Sequence, residues 1–198
     1  MSELFTGYSE ACALQDQRRD SAFLRLPLTL CGVECLQLNA RHFAVLIHSR
    51  SPFVVGGTPL PENIAQFLWV LHPQFSYTDT AKRDAFIASV GGVDYLEAVK
   101  EITAYVDEAL MDAPPGGGKQ TESYNSFMAY LVDTLAREYG WTAEHILSEP
   151  LACVFQYLRI MERRSGSKEP QFNRLADKAR NDFLERANAP KEDASHGE

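Results

Sequence analysis

Apolar and polar positions change period along the chain. Residues 1–21 are polar, mixed and weakly periodic, which predicts a flexible arm without a buried face. Then Leu24, Leu26, Leu28 and Leu30 alternate with Arg25, Pro27 and Thr29, the period of a half-buried strand. Pro27 lacks a ladder donor and would lie at a sheet edge. Gly32 offers a turn into a second short strand over residues 35–38, so a small N-terminal β-hairpin is expected.

From Asn39 onward the period is helical. Asn39 suits the N-cap of a helix over residues 40–49, which the Ser51-Pro52 pair ends. Pro61 suits the first turn of a second helix, with Ile64, Phe67, Leu68 and Leu71 as one stripe and Pro73 as its stop. Thr78 or Asp79 would cap a third helix that stops at Gly91-Gly92. A fourth carries Leu96, Val99, Ile102, Val106 and Leu110 on one face and Glu97, Lys100, Glu101 and Asp107 on the other. The segment around Pro114-Pro115-Gly116-Gly117-Gly118 cannot continue it.

A fifth helix presents Tyr124, Phe127, Met128, Leu131, Leu135 and Tyr139, and Gly140 stops it. Thr142 opens a short helix, and Pro150 starts the next, with Leu151, Val154, Phe155, Leu158 and Met161 inward. A last helix is expected over residues 172–187. The pattern predicts an all-α fold of about seven helices with a small N-terminal hairpin. The domain plan is an arm over 1–21, a helical domain over 22–188 with a flexible Pro/Gly linker near 113–121, and a disordered tail over 189–198.

Composition narrows the function. The 198 residues carry 19 basic and 27 acidic side chains, a net charge of −8, which gains nothing from the counterion release that drives nucleic-acid binding. No apolar run approaches the roughly 20 residues that span a bilayer, and the N-terminus lacks a secretory pattern. Cys12, Cys31, Cys35 and Cys153 read as reduced thiols, so a cytoplasmic location is expected, with no membrane partner.

Candidate chemistry fares poorly. Gly116-Gly117-Gly118-Lys119 lacks the early Gly and the trailing Ser or Thr of a phosphate loop: Ala113 and Gln120 stand there. Cys31, Cys35, His42 and His48 are too closely spaced for a zinc finger, and histidines six apart fall on opposite sides of a helix. No nucleophile elbow and no H-E-x-x-H pair occurs. The reading is non-enzymatic, with no catalytic residue, no metal and no cofactor.

What remains is binding. Arg159 and Arg163 share a helix face, with Arg164 beside them. They either complement the helix dipole, pair with the acidic first part of the chain, or meet an acidic partner or nucleic acid. Trp69 lies off the Ile64/Phe67/Leu68/Leu71 stripe and Tyr130 off the stripe of its own helix, so both are candidates to line an exposed groove for an apolar helix of a partner. Trp141 and Tyr157 join them, giving Trp69, Tyr130, Trp141, Tyr157, Arg159 and Arg163 as the candidate partner-binding residues.

One stretch adds a family. Residues 133–151, with Tyr139-Gly140-Trp141, then Ile146-Leu147, then Pro150-Leu151 running on into Phe155-Gln156-Tyr157-Leu158, resemble a segment of small helical phage and prophage tail proteins, the tail assembly chaperones and their neighbours in the tail gene cluster. Residues 66–73, Gln-Phe-Leu-Trp-Val-Leu-His-Pro, have the same flavour. The likeness covers about a quarter of the chain, and residues 1–38 have no counterpart in it. It implies a transient, non-enzymatic role in the host cytoplasm: holding an apolar, helical tape-measure protein before tail-tube subunits polymerise around it, with self-association along that long partner. The alternatives are a structural neck or tail-completion component of the virion, or a small cytosolic helical ligand-binding protein or enzyme.

Overall fold

A computed structural model of the chain describes residues 2–113, 126–166, 180–182 and 185. The chain is mostly helical with one small hairpin, as the pattern predicts. The elements are α1 (Ser2–Phe23), β1 (Leu28–Leu30), β2 (Val33–Cys35), α2 (Ala40–His48), α3 (Pro52–Val55), α4 (Pro61–Leu71), α5 (Thr80–Ser89), α6 (Tyr95–Ala109), α7 (Phe127–Tyr139), α8 (Ala143–Ser148) and α9 (Leu151–Arg164). Residues 180–182 and 185 are helical. The linker expected near 113–121 lies outside the described residues from 114 onward, as do the tail over 189–198 and most of the helix expected over 172–187. Two units divide the chain: Met1–Asp20 with Glu169–Glu198, and Ser21–Lys168.

In the first unit, the arm expected over residues 1–21 is corrected. Residues 2–20 are helical here, as part of α1, with an Arg19–Asp16 pair at 2.9 Å. Helix propensity needs no apolar stripe, so a search for periodicity misses such a helix.

The second unit begins with the hairpin. Leu28 pairs with Cys35, Thr29 with Glu34 and Leu30 with Val33, antiparallel. The two-residue turn places Cys31 at φ 51 and Gly32 at φ 77, the doubly positive geometry whose twist matches the strands. The first strand is shorter than expected and starts later, and the second is shorter and earlier. Arg25 has φ 48, which breaks the extended run before Pro27, so Leu24 and Leu26 never join the ladder. At the other end, the amide of Leu36 donates to the Leu71 carbonyl at 2.8 Å and leaves the hairpin.

That exit holds the unit together. Beyond Leu36, the amide of Leu38 donates to the Tyr105 hydroxyl oxygen at 2.6 Å, and the Leu38 carbonyl accepts from Leu151 at 2.9 Å. Residues 36–38 thus bond to α4, α6 and α9 in turn, and Leu38 is buried. Burial pushes the Tyr105 phenol far above its ordinary range, with the Leu38 amide opposing.

Helix starts follow local chemistry. Asn39 accepts from the His42 amide at 2.8 Å, Asp79 from Lys82 at 3.0 Å, Asp94 from Glu97 at 2.9 Å, Ser126 from Ala129 at 3.0 Å and Thr142 from His145 at 3.2 Å. Each satisfies a backbone donor that the first turn leaves open. Pro61 opens α4 and Pro150 precedes α9. Gly140, at φ 69, ends α7 in the left-handed conformation.

The core lies where these helices meet the hairpin exit: Leu46, Phe67, Leu68, Leu71, Ile102, Leu131, Leu135, Ile146, Leu151 and Val154 are fully buried. Two expectations about faces are corrected. Helix α6 turns Ala98, Ile102, Val106 and Ala109 inward and leaves Leu96 73% exposed, so its buried stripe is rotated toward small residues that let α3 and α4 approach. And α4 is not amphipathic: Ile64, Ala65, Phe67, Leu68, Trp69, Val70 and Leu71 are all buried. β2, α2, α5 and α6 pack around it.

Candidate interaction surface

The Tyr139-Gly140-Trp141 turn builds an aromatic group in the second unit. Tyr139 is the last residue of α7, and the left-handed Gly140 folds the chain so that Trp141 stacks on Tyr139, centroids 5.0 Å apart. Thr142 then starts α8 and brings His145 edge-on to Trp141 at 4.8 Å. From α9, Tyr157 meets Trp141 edge-on at 4.9 Å and Tyr139 at 5.4 Å; Phe23 meets Tyr157 at 5.7 Å. Edge-to-face rings at these separations add attraction beyond area burial.

Beneath the rings lies a buried carboxylate. Glu149 accepts from Arg25 at 2.6 Å, and His145 Nε2 stands 3.4 Å from the same oxygen. Arg25 reaches it from a left-handed backbone, a conformation costing about 1 kcal/mol. The buried charge is felt nearby. Burial, then Glu149, pushes the Cys153 thiol up to about 11, and the same two causes raise the Tyr157 phenol. The hairpin thiols behave alike: burial, then Glu101, pushes Cys31 up to about 11, while burial, then Cys31, pushes Cys35 up to about 12. These three thiols are protonated at neutral pH and are therefore poor nucleophiles.

Of the six candidate residues, this group unites Trp141 and Tyr157. Tyr130 stands apart on α7, 50% exposed. Trp69 is corrected: it is 4% exposed, not part of an open groove. Its ring stacks on His72 at 5.9 Å and lies under Phe75 and Phe86, at 5.9 and 5.4 Å. A residue off its helix's main stripe is still buried when another helix crosses that side. Arg159 is corrected too. Its guanidinium donates to Asp112, whose side chain is buried, so it serves the fold rather than an outside partner. Arg163 lies exposed in the last turn of α9, and its neighbour Arg164 reaches Glu138 at 3.6 Å.

No family model, curated protein or solved structure matches the chain. Among the described residues, no three His, Cys, Asp or Glu side chains gather as metal ligands, and no helix is long and apolar enough to cross a membrane.

Large apolar side chains are exposed beside the residues of this group, with the charged Arg25 among them. Leu24 is 66% and Leu26 56% exposed, on either side of Arg25, while Phe23 and Ile160 are half exposed. Ile160 follows Tyr157 by one helical turn. Sequence reasoning missed Phe23, Arg25, His145 and Glu149 as parts of this surface. The available signal was Tyr139-Gly140-Trp141: a Gly stop between two rings brings them face to face. Nothing in the spacing revealed that Arg25 would meet Glu149, 124 positions away.

Proposed function

We propose that the protein is a non-enzymatic tail-assembly chaperone of a phage or prophage, which holds an apolar, helical tape-measure-like chain in the host cytoplasm before the tail tube forms. The observation that supports it is the rim of Leu24, Leu26, Phe23 and Ile160, large apolar side chains kept in water around a rigid group of rings. Rigid aromatics rimmed by exposed aliphatic groups suit an amphipathic helix, whose apolar stripe covers them. The resemblance of residues 133–158 to tail assembly chaperones supplies the partner's class. A net charge of −8 keeps a loaded complex in solution.

Reading the neighbouring genes for a tape-measure protein, and co-expressing the chain with it, tests this reading. The expected result is a soluble complex of the two proteins, with this chain missing from purified particles. Recovery in particles at fixed copy number would instead make it a neck or tail-completion component. Tape-measure protein that stays insoluble and uncaptured would overturn the binding role.

A further inference from the structure

Helix α5 differs from every other long helix of the second unit: none of its ten residues is buried. Among its described side chains, one packs on the core, Phe86, which stands 5.4 Å from the Trp69 ring and 4.9 Å from His72. Both connections are turns. Before α5, the Ser76 hydroxyl accepts from the amides of Thr78 and Asp79, each at 3.3 Å, and after it comes Gly91-Gly92. Polar contacts hold the helix itself in shape: Asp79 caps it, and the Lys82 amide holds that carboxyl below its ordinary range.

We infer that α5 is a detachable lid over Trp69, which lifts off and melts as one segment between residues 73–78 and 90–93 while α4 and the core stay folded. A ten-residue helix is too short to persist alone in water, so α5 is helical only while Phe86 is docked. Docking of one half-buried ring is weak beside the cooperative burial of seven residues in α4. The two helices therefore open at different free energies. In the open form the Trp69 face that Phe86 covers meets water, while the His72 stack stays with α4. The lid operates whether or not the chaperone reading holds, because its test needs no partner.

Native-state hydrogen exchange on the full chain is the test, joined to acrylamide quenching of Trp69 in a Trp141→Phe background. The α5 amides are expected to exchange at least roughly a hundredfold faster than the α4 amides, with little dependence on low urea. Phe86→Ala should leave α4 protection unchanged, abolish α5 protection and raise Trp69 quenching severalfold. One common exchange rate for α4 and α5, rising together with urea, would overturn the lid. So would a Phe86→Ala protein that loses both helices together, or one in which Trp69 stays shielded.

Discussion

Two consecutive helices of similar length, α4 and α5, are held in opposite ways. Helix α4 buries seven of its eleven residues on all sides, whereas α5 buries none of ten and leans on α4 through Phe86. Both have clear start signals, Pro61 and Asp79. Local chemistry thus decides where a helix begins, and what surrounds it decides whether it is a pillar or a flap. The difference also bears on Trp69: one of the rings that cover it comes from α5, seventeen positions on.

Substitutions on each helix sharpen the contrast. Phe67, fully buried and edge-on to Phe53 at 5.3 Å, should show the largest effect: Phe67→Ala is expected to cost about 4 kcal/mol in urea unfolding, felt by the whole second unit. A cost near zero would mean that α4 is not the pillar.

Next comes acid. His42, on α2, is buried beside Phe75, and burial lowers its pKa to about 4 against Gln37's opposing carbonyl bond, with Arg41 adding to the lowering. Because the folded value lies below the unfolded one of 6.5, the unfolded chain takes the proton first. Stability should therefore be full above pH 6.5 and fall by about 3 kcal/mol as pH drops toward 4. His42→Leu should flatten that part of the profile. An unchanged slope would place the titration elsewhere.

Smaller again is Phe86→Ala. Its cost is capped by the free energy of opening α5, about 2 kcal/mol for one ring. The smallest effect is Ala85→Gly on the exposed side of α5, about 1 kcal/mol in the natural chain. Added to Phe86→Ala it should cost almost nothing, since a helix already open has nothing left to lose. Full additivity would show that α5 remains docked without its ring.

The sequence makes some of this legible. Asn39, Asp79, Thr142, Pro61 and Gly140 mark helix ends because each acts on backbone groups within a few residues. The hairpin was visible in alternation, but its register was not: the left-handed Arg25 and the Leu36–Leu71 bond set it, and both depend on distant partners. Helix α1 has no stripe to find, and α3 is a single turn hidden behind a Pro that looked like a stop. At the candidate surface, Trp141 and Tyr157 were visible only as members of an aromatic-rich set, and no spacing argument brought them together. The inward fates of Trp69 and Arg159 were not visible, because Phe86 and Asp112 decide them from elsewhere in the chain.

The most direct measurement of the central claim is sedimentation velocity of the purified chain mixed with a soluble tape-measure segment, comparing the natural sequence with a Leu24→Asp/Leu26→Asp variant. Both side chains stand in water, so melting should barely move. The account predicts a faster-sedimenting complex for the natural chain and its loss in the variant. Equal binding by both would contradict the proposal that the side chains beside Trp141 and Tyr157 take up a partner.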